Sequence, residues 1–136
     1  MFAALDISGS ALVAQRTRLD VIAGNLANAQ VTRQEDGRSE PYCRRFVTFS
    51  TGDGRGGAGV HVAEVLEDPT PFRRQYAPNH PDALQSGPWA GYVQLPNVNI
   101  TMEYVDAIAA TRAYEANVAM MSATKDMVRQ TLRLFA

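Results

Sequence analysis

Apolar residues in the last third of the chain recur in doublets seven apart: Ala113 with Tyr114, Met120 with Met121, Met127 with Val128, Leu134 with Phe135. Neither proline nor glycine interrupts residues 99–135. The pattern predicts one long helix with a heptad seam along a single face. Met102, Ala109, Ala116 and Ala123 fill the alternate positions of that seam. Small side chains let a partner helix come close, and methionine adapts to an irregular partner. Glu103 and Asp106 stand in the first turns and Lys125, Arg129 and Arg133 in the last ones, the distribution that the helix macrodipole favours. At ~1.5 Å per residue such a helix is about 50 Å long, more than a compact domain of this size needs.

Residues 2–29 are also helical in pattern. Leu5, Leu12, Leu19 and Leu26 stand seven apart and read as a packing seam. Ile7, Ala14 and Val21 form a second line two positions on, roughly 200° around the helix. One antiparallel partner covers only one of these faces. Two readings fit: scattered alanine and valine on an ordinary surface with Ile7 near a frayed end, or several neighbouring helices packed around this one inside an assembly. Asn28 follows the small residues of 23–27 and is placed to cap the helix in the left-handed conformation.

Between the helices the periodicity shortens to two. Residues 31–41 are polar and read as a loop. Strands are predicted over 46–49 and 60–65, joined by a glycine-rich connection, with two more over 72–76 and 92–95. Pro69, Pro71, Pro78, Pro81, Pro88 and Pro96 keep these strands brief or at edges. The expected architecture is mainly α, with long N- and C-terminal helices pairing as a coiled coil and a small short-stranded sheet between them.

Composition narrows what such a chain does. A formal net charge of -1 over 136 residues, with both signs mixed, provides no basic patch, which argues against a nucleic-acid binder. Cys43 is the sole cysteine, so neither an intrachain disulfide nor a cysteine metal cluster is possible. No basic and apolar leader opens the chain and no run approaches the ~18 apolar residues of a membrane span. A protein exported without cleavage and not inserted in a membrane is compatible with this.

Candidate chemistry is sparse. Gly54, Gly56 and Gly59 fit the spacing of a dinucleotide fingerprint, but a strand rather than a helix follows them, so no helix N-terminus is offered to a pyrophosphate. His61, His80 and Asp82 lack the spacing of helical zinc ligands, and structural roles are expected for them. Asp6, Asp20, Glu67, Asp68 and Glu103 are not tied by spacing to a common cleft, and Ser8 and Ser10 have no nucleophile elbow around them. No enzymatic activity, cofactor or metal is expected. Arg112 and Glu115 lie three apart beside Tyr114 and Asn117. They form either a solvated helical face or, tyrosine and arginine being common anchors, a subunit contact.

Two motifs carry a family resemblance. Ala-Gly-Asn-Leu-Ala-Asn-Ala-Gln-Val-Thr from Ala23 resembles the N-terminal motif of the axial proteins of the bacterial flagellum, and Arg-Ala-Tyr-Glu-Ala-Asn from Arg112 resembles their C-terminal motif. Glu-Asp-Pro-Thr-Pro-Phe from Glu67, His-Pro-Asp-Ala from His80 and Gly-Tyr-Val-Gln-Leu-Pro-Asn-Val-Asn from Gly91 resemble a proximal rod member of that family, with 84–90 as a small insertion. The resemblance implies a structural subunit of the basal-body rod, exported by the flagellar type III apparatus without signal cleavage and assembled in the periplasm into a hollow shaft that transmits torque. Residues 1–30 and 99–136 would be rod-core helices and 31–98 a loop and small β segment. Subunit contacts are expected at Leu5, Leu12, Leu19, Asn25, Leu26, Asn28, Arg112, Tyr114, Glu115, Asn117, Met120, Met127 and Leu134. Partners would be copies of the chain, other rod proteins, and membrane-ring and adaptor proteins at the rod base, with no nucleic acid. A sister subunit at another axial level and, distantly, a small metal- or nucleotide-binding enzyme are the alternatives.

Overall fold

A computed structural model describes residues 2–33, 40–52, 54 and 56–135. Helix α1 spans Phe2–Ala27, strands β1 and β2 span Arg45–Thr51 and Val60–Glu67, β3 and β4 span Arg73–Tyr76 and Tyr92–Leu95, and helix α2 spans Ile100–Phe135. Both terminal segments are helices, with a small β region between them. Most of the polar loop expected over 31–41 lies outside the described residues.

The strands form two separate antiparallel ribbons, β1 with β2 and β3 with β4, rather than the single small sheet expected. Prolines 69 and 71 separate β2 from β3, and proline cannot carry a ladder onward. In the first ribbon the register shifts between Thr48 and Phe49, and a bulge of this kind bends and twists the strand. The bend suits a ribbon that lies along α1. Its base stands at Asn25, whose side chain binds the Arg45 backbone, and its tip stands at Ser10, whose hydroxyl accepts the Val60 N–H at 3.1 Å. Gly59 makes that approach possible: it has φ +144°, and a Cβ there would lie 2.5 Å from Ser10 Oγ.

The two helices run antiparallel. Asn25 meets Glu103, and seven residues earlier on α1 Arg18 meets Asp106. Their lengths differ, at 26 and 36 residues, so α2 is roughly 15 Å longer. The second line of α1 is covered partly by the chain's own ribbon: Ala14 is buried and Val21 half-buried, while Ile7 is exposed. A groove of about 240 Å³ lined by Val21, Ile22, Phe46, Val47 and Phe49 marks where ribbon and helix meet.

Local capping follows sequence chemistry. Asn99 Oδ1 accepts the backbone N–H groups of Thr101 and Met102 at 3.1 and 3.3 Å and so caps the start of α2. Asn28 caps α1 by a different route from the one expected. No non-glycine residue among those described has positive φ; instead the Asn28 side chain and backbone both donate to the Gly24 carbonyl, at 2.9 and 3.1 Å. An amide side chain can satisfy a terminal carbonyl without left-handed backbone. The densest packing lies where everything converges, around Ala29, Pro41, Val93, Pro96, Val98 and Glu103, all buried.

Candidate functional site

Asn25 and Glu103 are both fully buried, and a buried amide and carboxylate must be satisfied within the protein. Asn25 uses its whole hydrogen-bonding capacity. Its Nδ2 donates to the Arg45 carbonyl at 2.7 Å and to Glu103 Oε2 at 3.1 Å, and its Oδ1 accepts from the Arg45 N–H at 2.9 Å and the Tyr42 hydroxyl at 3.1 Å. Glu103 Oε1 accepts from Arg44 Nε at 2.6 Å. The same guanidinium donates to Asp68 at 3.1 Å and stands 3.7 Å from Asp106, which in turn lies 3.6 Å from Arg18. Asn97 closes the cluster: its Oδ1 accepts the Arg44 N–H at 2.7 Å and its Nδ2 donates to the carbonyls of Asp68 and Thr70, both at 3.0 Å.

This hub binds α1, the start of β1, the turn after β2, the segment before α2 and α2 itself. Burial pulls the Arg44 guanidinium down, but its hydrogen bonds and charge pairing with Glu103 and Asp68 outweigh that and raise it. Hydrogen bonds from the Thr70 backbone and hydroxyl, with Arg44 adding to them, hold the Asp68 carboxyl below the usual aspartate range. Burial pushes up the Tyr42 hydroxyl and the Cys43 thiol. That thiol donates to the Asp68 carbonyl at 3.4 Å. The sequence assigned Glu103 and Asp106 to the helix dipole and found no shared cleft for the carboxylates; the fold gathers Glu103, Asp106 and Asp68 around one arginine. The available signal was Asn25, an amide on a helix face otherwise occupied by Ala14 and Ile22.

The expected contact residues fall into three places. Asn25 is spent inside the chain. Leu5, Leu12, Leu19, Leu26, Asn28 and Asn117 are half-buried, the last donating to the Ala113 carbonyl at 2.8 Å. Arg112, Tyr114, Glu115, Met120, Met127 and Leu134 are exposed. The doublets on α2 are thereby split. Met121 and Val128 turn inward, with Glu103, Ala110, Asn117, Thr124 and Thr131 one heptad line inside, while Met120 and Met127 turn outward. Met102, Ala109, Ala116 and Ala123 are exposed as well. The apolar seam read from the sequence is thus an outer line, and α1 occupies the line one residue on. Exposure along the outer line is 55% at Met102, 60% at Met120, 52% at Met127 and 86% at Leu134.

The residues weighed for catalysis serve the fold. His61 Nδ1 lies 2.8 Å from the Gly52 carbonyl, and His80 Nδ1 accepts the Asp82 N–H at 3.1 Å. Asp82 accepts from the Thr32 hydroxyl at 2.8 Å. Gly54, Gly56 and Gly59 belong to the connection between β1 and β2. Among the described residues no group of three or more His, Cys, Asp or Glu could hold a metal ion, and no helix is long and apolar enough to cross a membrane.

Both termini match known families. Residues 5–33 match the family described as flagella basal body rod protein, and residues 90–134 the family described as flagellar basal body rod FlgEFG protein C-terminal. The flagellar basal-body rod protein FlgC of Borreliella burgdorferi is 38% identical, over 98% of this chain and 97% of its own length. Its namesake in Bacillus subtilis is 41% identical over the same shares, and that of Yersinia enterocolitica 42% identical over 95% and 93%. The chain belongs to the FlgC family of flagellar basal-body rod proteins. Its role is structural, as a subunit of the basal-body rod, and the two matched regions take in nearly all of the two helices that the hub ties together.

Proposed function

We propose that the chain builds the proximal rod by packing the outer line of α2 and the leucine line of α1 against terminal helices of neighbouring subunits, as a coiled coil extended across the assembly. The observation that carries this is the apolar stripe made by two interleaved heptad lines, Met102, Ala109, Ala116 and Ala123 with Met120, Met127 and Leu134, which the folded chain leaves exposed. A contiguous apolar stripe of that length is an interaction surface. Heptad spacing selects another helix as its partner. Leu5, Leu12, Leu19 and Leu26, half-buried in the single chain, gain the rest of their burial from a neighbour, each contributing up to about 1.5–3 kcal/mol when fully covered. Asn28, Arg112, Tyr114, Glu115 and Asn117 flank that contact, with Tyr114 and Arg112 as anchors, while Asn25 shapes it from within.

In this reading 1–30 and 99–136 are rod-core helices and 31–98 faces other components. The neighbours are copies of the chain, sister rod subunits and, at the base, membrane-ring and adaptor proteins. The type III apparatus exports the chain without cleavage, and the assembled shaft transmits torque. Met120→Asp tests the central claim in a motile strain whose own rod gene is deleted. The variant is exported at the normal level, is missing from isolated basal bodies and does not restore swimming. Normal swimming with the variant incorporated would overturn the outer line as the assembly surface.

A further inference from the structure

We infer that the Asn25–Glu103–Arg44 hub decides which face of α2 receives α1, and so keeps the apolar line free. The choice needs explaining, because α2 carries two heptad lines one residue apart and α1 lies on the more polar one. The inner side holds Glu103, Asn117, Thr124 and Thr131 together with Ala110, Met121 and Val128; the outer side holds Met102, Ala109, Ala116, Met120, Ala123, Met127 and Leu134. Apolar burial alone would place α1 on the outer line. Polar satisfaction opposes it. Glu103 and Asn25 are fully buried and meet at 3.1 Å only when α1 sits on the inner line. Turning α2 to present its outer line would carry the Glu103 carboxylate away from Asn25 and Arg44, leaving Asn25 with an unused donor and Arg44 without its shortest charged partner. The remaining polar residues of the inner line oppose nothing: Asn117, Thr124 and Thr131 bond carbonyls of their own helix at 2.8 to 2.9 Å. A single buried polar pairing that fixes helix register at some expense in stability is a known device in coiled coils. Here it fixes the face.

The consequence for assembly rests on the function proposed above; the choice of face does not. Ala109 and Ala110 report it, since they are adjacent, one exposed and the other at 0% exposure. The full chain with Cys43→Ser carries either Ala109→Cys or Ala110→Cys, and maleimide labelling rates are measured in dilute solution. Position 109 labels at least about tenfold faster than 110 in this background, because burial limits labelling to transient opening. Adding Arg44→Met and Glu103→Leu together removes both charges of the pair, while Asp68 keeps the Thr70 N–H, Asp106 keeps Arg18 and Asn25 keeps Arg45 and Tyr42, and the two rates equalise or reverse while circular dichroism retains its helical signal. If 110 stays protected in the double variant, apolar packing or chain connectivity sets the face and the inference falls. It falls equally if the double variant loses its helical signal, for then the hub is required for folding itself. If the rates reverse but rods still assemble, the hub selects the face and the outer line is not the assembly surface.

Discussion

Along α2, the line through Glu103, Ala110, Asn117 and Thr124 lies against the rest of the chain, while the line one residue earlier through Met102, Ala109, Ala116 and Ala123 faces outward. The inner line is the more polar of the two. In a self-sufficient monomer the order would be reversed, with methionine and leucine inside and threonine outside. A subunit built for assembly has a different requirement. In the assembly proposed above, its strongest apolar surface is kept for contacts between chains, and the contact within the chain is specified by a few satisfied polar groups.

Substitutions on the two lines separate these roles, and the largest effect belongs to the inner one. Glu103→Ala leaves the half-buried Arg44 without its shortest partner and Asn25 with an unused donor. Breaking a buried ion pair in this way costs about 3–5 kcal/mol, read as a fall in the urea midpoint of the purified chain. Retention of Asp68 and Asp106 beside Arg44 places the result toward the lower end. An unchanged midpoint would show the hub to be dispensable to the inner contact.

Gly59→Val follows, at about 1–3 kcal/mol. The added Cβ meets Ser10, and φ of +144° is unfavourable for a branched residue. The expected outcome is a lifted ribbon tip, seen as faster hydrogen exchange at Val60 and its neighbours, with the hub end of the ribbon still protected.

Acid distinguishes the hub from the outer line more gently. Asp68 has a folded pKa below its ordinary value, so its contribution is fully present above that ordinary value and is lost as pH falls through the folded one. The stability difference between the natural chain and Asp68→Asn is therefore constant above about pH 5 and narrows on acidification. A difference that persisted unchanged to the acid transition would place the Asp68 contribution elsewhere than in its charge.

The smallest effect on the single chain is Met127→Gln, within about 0.5 kcal/mol because an exposed side chain loses little. Its whole consequence appears in assembly, as reduced incorporation into basal bodies. Parallel substitution of Met121, six residues earlier on the inner side, should destabilise the monomer instead; equal effects at both positions would erase the distinction between the lines.

Much of this was legible in the residues. The two helices, the strands around Val47, Val62, Gln75 and Val93, the capping role of Asn28 and the structural roles of His61 and His80 all follow from periodicity, turn chemistry and spacing. The Met and Leu doublets also mark an apolar line on α2, which the structure turns outward at Met120, Met127 and Leu134. Heptad spacing on α2 cannot say which member of each doublet faces its own chain, because the two lines differ by only about 100° and both repeat every seven residues. The second line of α1 raised a similar ambiguity, and part of its cover came from the chain's own ribbon, folded back to Ser10 across fifty residues of sequence.

What the sequence determined by itself was the kind of molecule: the order and length of its elements, the heptad surfaces and the terminal motifs of a flagellar rod protein, all of which depend on local spacing. Tertiary structure alone decided which of those surfaces the chain covers itself and which it leaves exposed. In the inference drawn above that choice depends on Asn25, Arg44, Asp68, Asn97 and Glu103 meeting in one place, and no local pattern records a meeting among residues that stand up to 78 positions apart. Buried polar groups act only when their partners arrive together, so their role comes into being with the fold.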